Sequence, residues 1–122
     1  MHGPTFMANP LACAAANASL SLFEHAPRLK QVAAIAERLE AGLAPCREIA
    51  AVTDVRVKGA VGVVELDRIA DLTALRHRFV DAGAWIRPFG RIVYLTPAYT
   101  IGEEDLAFLT GAIVNVLKNQ QS

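Results

Sequence analysis

The pattern of apolar and polar positions divides the first half of the chain into helical segments and strand-like segments. Asn9 and Pro10 have the residue types of a helix N-cap and a first helical position, and an alanine-rich helix is predicted from there through His25. Pro27 separates it from a second predicted helix, which ends at Pro45. The apolar residues of this second helix recur at steps of three and four, as on one buried face. They are Leu29, Val32, Ala36, Leu39 and Leu43.

Strand-like alternation follows the second helix. Val55 and Val57 alternate with Arg56 and Lys58, and the segment "AVGVVELD" follows directly after Gly59. This pattern predicts two strands joined by a tight turn or a bulge.

The last third of the chain predicts two helices around a second pair of strands. Asp71 has the position of an N-cap for a helix that ends at Gly83. The segments "AWIRPFG" and "RIVYLTP" flank Gly90 and predict an extended pair joined by a turn. Thr100 and Glu103 have the spacing of a capping box for the final helix. The apolar positions of the two helices are Leu72, Leu75 and Phe79, then Leu106, Leu109, Ile113 and Val116.

This order of elements, roughly ααββαββα, indicates an α+β fold in which helices pack on a small, mainly antiparallel sheet. With 122 residues the chain has the length of one domain, and 53% hydrophobic residues are enough for a packed core.

The formal net charge is zero, which argues against nucleic acid or a membrane surface as a partner. The longest uncharged apolar stretch, Met7–Phe23, is interrupted by asparagines and serines, and so predicts a buried helix rather than a membrane span. Cys13 and Cys46 favour reduced core cysteines of a cytoplasmic protein, although a disulfide stays open.

Common catalytic and metal-binding motifs are absent from the sequence. His2, His25 and His77 do not have the spacing of metal ligands, so no metal site is predicted. Nucleophile-elbow, Walker and dinucleotide-binding motifs are absent as well.

Two loops carry candidate chemistry. In "HGPT", Gly3 permits a close backbone approach to a ligand, Pro4 stiffens the turn, and the Thr5 hydroxyl can donate to a phosphate oxygen. The alternative is a simple turn that leads into the helix. In "WIRPFG", Arg87 lies in an apolar run, where its guanidinium fork suits a carboxylate. The alternatives are an exposed strand arginine and an internal ion pair.

Longer stretches of the sequence resemble a known family. "HGPTFMANPLACAAANASL" is similar to the loop and helix of class III, fold-type I aminotransferases, which use pyridoxal phosphate and carry a similar H-G-x-T-F-x-x-N-P-L-A-C-A-A stretch. "MHGPTFM", "DVRVKGAVGVVEL" and "WIRPFGRIVYLTPAY" resemble the branch of this family that acts in biotin biosynthesis. Two departures concern local loop geometry: Ala8 stands where the family commonly has glycine, and "TPAY" replaces "MPPY".

The resemblance implies that the chain is the C-terminal part of such an enzyme. Residues 1–24 then correspond to the end of the large-domain cofactor loop with a linking helix, and residues 25–122 to the small C-terminal domain. The lysine that holds the cofactor lies upstream of the loop in this family. Lys30, Lys58 and Lys118 lack its sequence context, so no catalytic residue is expected in this chain and no transamination by it alone.

Site roles also follow from the resemblance. Pro4 and Thr5 are expected to contact the phosphate of pyridoxal phosphate from the neighbouring subunit of a homodimer. Gly3 is expected to line the substrate site with its backbone, Arg87 to bind the substrate carboxylate, and Tyr94 to lie nearby with weaker support.

The substrates that the resemblance implies are S-adenosylmethionine as amino donor and 8-amino-7-oxononanoate as acceptor. The missing large domain and the second subunit are the implied partners. Two alternatives stay open at this point. One is another class III aminotransferase, of the ornithine or 4-aminobutyrate type, and the other is an α+β binding or interaction module without catalysis.

Overall fold

The computed structural model describes Gly3 and residues 5–119, and their packing divides the chain into two compact units, Met1–Lys30 and Gln31–Ser122. The elements alternate between helices and strands in an α+β arrangement, as the sequence predicts. In chain order they are helix α1 (Pro10–His25), helix α2 (Arg28–Leu43), a short 3₁₀ helix (Ala44–Glu48), strands β1 (Val52–Lys58) and β2 (Val61–Leu66), helix α3 (Leu72–Asp81), strand β3 (Ile92–Leu95) and helix α4 (Glu103–Asn119).

Helix α1 begins where the sequence predicts. The Asn9 side-chain oxygen accepts hydrogen bonds from the backbone N–H groups of Leu11 at 3.0 Å and Ala12 at 3.2 Å. Pro10 occupies the first turn, where a missing N–H costs nothing. The predicted N-cap is therefore confirmed.

The predicted burial of α1 is wrong, because the helix has no buried residue and Leu11 is 81% exposed. An N-cap and a run of alanines suffice to start and propagate a helix, whereas burial needs a packing partner that the local pattern does not specify. Among the described helices, none has both the length and the apolarity that crossing a bilayer requires.

The sheet of the second unit is antiparallel, with the strand order β1-β2-β3. Lys58 pairs with Val61, so Gly59 and Ala60 form a two-residue turn, and Gly59 has the positive φ of 57° that favours glycine. A bulge interrupts β1 between Val52 and Asp54. The predicted hairpin is therefore confirmed.

The predicted fourth strand does not form, and within the described residues the sheet has three strands. The backbone N–H of Ile86 donates to the carbonyl of Ala84, only two residues back, which turns the chain sharply at Trp85. Pairing with β3 is therefore limited to the single bridge between Phe89 and Ile92.

One of the two predicted caps in the second half is confirmed. The Asp71 carboxylate accepts from the backbone N–H of Ala74 at 3.0 Å, at the start of α3. The predicted capping box of Thr100 and Glu103 is wrong. Helix α4 begins two residues later than that pattern requires, since the N–H of Leu106 bonds to the carbonyl of Gly102 at 3.1 Å.

The core of the second unit lies among the sheet and helices α2, α3 and α4. Leu39 and Leu43 of the predicted apolar stripe on α2 are fully buried, whereas Leu29 is exposed and Ile35 is buried instead. The largest fully buried side chains are Phe79, Leu39, Leu43, Leu66, Leu75, Ile86, Leu106, Ile113, Leu117, Val64 and Val93.

Helices α2 and α4 approach each other closely. A Cβ placed on Gly42 would lie 2.5 Å from the Oγ1 of Thr110, which is 4% exposed and donates to the carbonyl of Ala107. At one edge of this contact, Arg38 of α2 forms an ion pair with Glu103 of α4. The absence of a side chain at Gly42 therefore sets the distance between the two helices.

Both cysteines are free thiols; Cys46 is buried as predicted, whereas Cys13 is exposed. Burial raises the pKa of Cys46 from 9.0 to about 11, and the nearby charges of Lys118 and Arg47 oppose the rise. The folded state therefore holds this proton more strongly than the unfolded chain does.

We expect the Cys46 thiol to stabilise the fold fully below about pH 9 and to lose this contribution as the pH rises toward about 11. The measurement is the urea unfolding midpoint at pH 8 and at pH 10.5, for the wild type and for C46A. The unfolding midpoint of C46A should rise relative to that of the wild type between pH 8 and pH 10.5. C13A serves as the control and should follow the wild type, and a pH-independent difference for C46A would contradict the expectation.

Candidate functional site

A tight turn folds segment 84–88 back alongside β3. Phe89 and Ile92 exchange two backbone hydrogen bonds of 2.9 Å around this turn, and Gly90 has a φ of 59°. The turn between them brings one arm, residues 84–88, back beside the other, β3. One pair of hydrogen bonds thus aligns the two arms without a ladder.

The side chains of these arms line an open pocket of about 230 Å³. Arg87 and Tyr94 both lie in its wall, so the structure brings together these two residues predicted from the sequence. Thr96 adds a hydroxyl, and Pro97 and Leu109 add apolar surface. The pocket therefore combines one cation and two hydroxyls with an apolar wall.

Arg87 is exposed and forms no hydrogen bond or ion pair with another residue that the structure describes. The alternative of an internal ion pair is thus not realised among these residues. Its guanidinium lies over the indole of Trp85, 5.8 Å from the ring centroid. The N–H groups at the edge of the guanidinium are free to donate to a ligand.

Arg91, four residues later, has a different environment. Its guanidinium lies 3.5 Å from Glu65, which also pairs with Arg56 at 2.9 Å. Arg56 reaches Asp54 at 2.8 Å, and its hydrogen bonds to Asp54 and Glu65 raise its pKa. Arg91 therefore belongs to a network of charges on the sheet, while Arg87 faces the pocket without a carboxylate partner among the described residues.

The predicted residues Gly3 and Thr5 lie in the first unit, on the loop before α1, and Pro4 lies outside the described residues. A Cβ on Gly3 would lie 1.9 Å from the sulfur of Met7, so the loop folds closely over this glycine. Ala8 has a φ of 60°, a conformation in which an L side chain is strained. The alanine thus occupies a position where glycine would be free of that strain.

The first donors of α1 are already used. Leu11 and Ala12 donate to the Asn9 side chain, Cys13 donates to the Asn9 carbonyl at 2.9 Å, and Pro10 has no N–H. A phosphate near this loop cannot take these N–H groups without displacing the cap. The exposed hydroxyl of Thr5, which has no hydrogen bond to another described residue, remains available to it.

Other reactive groups are scattered. Lys30 lies in α2, Lys58 at the end of β1 and Lys118 near the end of α4. No group of three or more His, Cys, Asp or Glu side chains within the described residues is placed to hold a metal ion.

Sequence reasoning missed Thr96 and Leu109 as pocket residues and treated Trp85 only as an apolar neighbour of Arg87. A signal for Trp85 was present in the alternation of the segment, since Trp85, Arg87 and Phe89 occupy every second position. Leu109 reaches the pocket from α4, and no local pattern contains that distant contact.

Comparison with known proteins supports the family resemblance that the sequence indicates. A profile of the family described as "Aminotransferase class-III" matches residues 1–117. The chain is 44% identical over 120 residues to adenosylmethionine-8-amino-7-oxononanoate aminotransferase of Corynebacterium glutamicum, a match that covers 98% of this chain and 28% of that protein. It is 44% identical over 116 residues to the Mycobacterium leprae protein of the same name, covering 95% of this chain and 27% of the relative. The chain thus spans a little more than a quarter of the length of these curated relatives.

Solved structures share the fold. An adenosylmethionine-8-amino-7-oxononanoate aminotransferase of Methanocaldococcus jannaschii matches 97% of this chain and 30% of its own, with a TM-score of 0.83 and 25% identity. An amine transaminase from an uncultivated Pseudomonas species, in its PLP-bound form, matches all of this chain and 30% of its own, with a TM-score of 0.84 and 26% identity. The helices and the small antiparallel sheet are therefore a part of the fold of these transaminases, and the chain belongs to the class-III aminotransferase family.

Proposed function

We propose that this chain is part of a cytoplasmic, pyridoxal-phosphate-dependent aminotransferase of biotin biosynthesis. The enzyme transfers an amino group from S-adenosylmethionine to 8-amino-7-oxononanoate and yields 7,8-diaminononanoate. The observation that carries the proposal is Arg87: an exposed guanidinium, without a carboxylate partner among the described residues, in the wall of an open pocket with an apolar side. The identity of 44% to two relatives of that name supports it.

Arg87 binds the carboxylate of the oxononanoate in this proposal. Two parallel N–H groups of a guanidinium match the two oxygens of a carboxylate, which fixes direction as well as position. The acceptor has its carboxylate and its ketone at opposite parts of a long aliphatic chain. A grip at the carboxylate end therefore places the ketone at a defined distance from the arginine. Tyr94 lies in the same wall and assists by orienting the bound acid.

Thr5, together with Pro4, holds the cofactor phosphate from the neighbouring subunit of a homodimer. The exposed Thr5 hydroxyl fits the phosphate end of pyridoxal phosphate, because it can donate one hydrogen bond to an anionic oxygen. Gly3 lets the backbone of the same loop approach the substrate. When bound, the cofactor withdraws electrons from the carbon that carries the transferred amino group.

The three lysines of this chain do not bind the cofactor covalently in this proposal, and that lysine belongs to the large domain. Residues 1–24 form the end of that domain with a linking helix, and residues 25–122 form the small domain. The chain alone therefore does not transaminate.

A chimera tests the proposal. The matched C-terminal segment of the Corynebacterium glutamicum relative is replaced by this chain, and the formation of 7,8-diaminononanoate is measured by mass spectrometry with S-adenosylmethionine as donor. We expect product from the chimera and none from the 122-residue chain assayed alone. Ornithine and 4-aminobutyrate serve as alternative donors.

Each outcome of this test is informative. A folded chimera that accepts ornithine or 4-aminobutyrate in preference to S-adenosylmethionine would assign the chain to another branch of the family. Product from the 122-residue chain alone would overturn the assignment of the cofactor lysine to the large domain. A folded chimera that binds pyridoxal phosphate but acts on none of these donors would favour a non-catalytic module.

A further inference from the structure

The segment that carries Arg87 alternates strictly between buried and exposed positions. Ala84 and Ile86 are each 2% exposed and Pro88 is buried, so these three residues hold the segment against the core. Trp85 and Phe89 are exposed on either side of Arg87. Because these three exposed residues alternate with buried ones, the two rings and the guanidinium share the outward face.

The indole of Trp85 lies on this face and is 73% exposed, so it is available for contacts outside the core. Its ring is the group over which the Arg87 guanidinium lies, at 5.8 Å from the centroid. This distance is within the range of cation–π attraction. The indole thus has a contact with the one side chain of the pocket that carries a charge.

A guanidinium has two kinds of surface, and they serve different partners. Its flat faces stack on aromatic rings, while its N–H groups point outward in the plane and form hydrogen bonds. The cation–π contact with Trp85 does not use up these donors, which form no hydrogen bond to another described residue. Without this contact, an exposed arginine samples many rotamers and loses that freedom each time it binds a ligand.

We propose that Trp85 is a positioning residue, whose indole face holds the guanidinium of Arg87 so that its N–H edge stays directed at the carboxylate of an unbranched aliphatic acid. The inference rests on the proposed function of Arg87. Tyr94 and Thr96 line the same pocket as Arg87 and Trp85, and Leu109 supplies the apolar wall along which the methylene chain lies.

Kinetics of the chimera described above test the inference with three variants. W85L removes the aromatic face, W85F keeps a smaller one, and F108L is the matched control, an exposed aromatic residue on α4 that does not line the pocket. We expect W85L to raise KM for 8-amino-7-oxononanoate about 3- to 10-fold, with kcat within about twofold of the wild type. W85F should stay within about twofold in KM, and F108L should not change it.

Two further readouts separate positioning from general damage. The methyl ester of the acceptor lacks the charge that Arg87 binds, so W85L and wild type should show the same KM for it. In the ¹⁵N-arginine-labelled 122-residue chain, the Nε–H resonance of Arg87 should shift in W85L through loss of the ring current and should stay in place in F108L.

The outcomes distinguish this inference from the function on which it rests. If R87A raises KM at least 10-fold and W85L leaves it within 1.5-fold, Trp85 does not position the arginine. Equal increases in W85L and W85F, or an equal increase for the ester, would likewise overturn the inference, because they indicate loss of packing volume. If R87A itself leaves KM unchanged, the proposed role of Arg87 fails, and this inference fails with it.

Discussion

Replacing Arg87 with alanine is expected to raise KM for 8-amino-7-oxononanoate about 30- to 150-fold in the chimera, with a smaller effect on kcat. The loss corresponds to about 2–3 kcal/mol, the usual range for hydrogen bonds between charged groups, and each 1.4 kcal/mol is a factor of ten. Arg87 has no carboxylate partner among the described residues, so a parallel pair of its N–H donors is open to a bound acid. Steady-state kinetics with the acid and with its methyl ester measure the effect, which should nearly vanish for the ester.

Arg91 provides the matched control for this prediction. It lies four residues from Arg87, carries the same charge and pairs with Glu65 on the sheet. R91A should leave KM within about twofold of the wild type, because a largely exposed ion pair contributes little. A wild-type KM for R87A would contradict the carboxylate role. Equal effects of R87A and R91A would show that the pocket responds only to net charge.

Replacing Gly42 with alanine is expected to lower the free energy of unfolding by about 1–3 kcal/mol, the usual cost of overpacking. The new Cβ would lie 2.5 Å from Oγ1, 2.7 Å from Cβ and 2.8 Å from Cγ2 of Thr110. These contacts involve the root of a buried side chain rather than a flexible end, so the helices α2 and α4 must move apart. Urea unfolding of the 122-residue chain, followed by far-ultraviolet circular dichroism, measures the change.

Gly111 allows the same substitution without the contact. It lies in α4, one residue after Thr110, and a Cβ placed on it meets nothing within 4 Å. G111A should therefore raise the free energy of unfolding by up to about 1 kcal/mol, because alanine propagates a helix better than glycine. If G42A were as stable as G111A, the close approach of the two helices would not be a feature of the molecule in solution.

The elements that could be predicted from the sequence are those with a local cause. The Asn9 cap, the Asp71 cap and the turn at Gly59 each depend on a few adjacent residues, and all three are confirmed. The hairpin of β1 and β2 follows from alternation on both sides of that turn. Local hydrogen-bond chemistry thus accounts for the starts of α1 and α3 and for the turn between β1 and β2.

The predictions that are wrong depend on distant or competing groups. "AWIRPFG" has the alternation of a strand, but the Ile86 N–H bonds to the Ala84 carbonyl and turns the chain at Trp85. Thr100 and Glu103 match a capping box by spacing alone, while α4 begins at the carbonyl of Gly102. The apolar composition of α1 indicates burial, but composition alone does not determine which surface would cover the helix.

The candidate site also has one part that could be predicted from the sequence and one part that could not. The residue type and apolar neighbours of Arg87 indicate carboxylate binding from the sequence, and the structure adds that Tyr94 shares its pocket. This proximity could not be derived beforehand, because it depends on the turn that brings segment 84–88 back beside β3. The roles of Gly3, Pro4 and Thr5 stay predictions.

Trp85 is the single tryptophan of the chain. Excited near 295 nm, the protein therefore emits from one place, the rim of the pocket beside Arg87. Emission should respond to an acid or a salt that reaches this guanidinium, whereas unfolding of the core changes the surroundings of an already exposed indole only slightly. The protein thus contains its own optical probe of the carboxylate pocket, and that probe is a poor reporter of global stability.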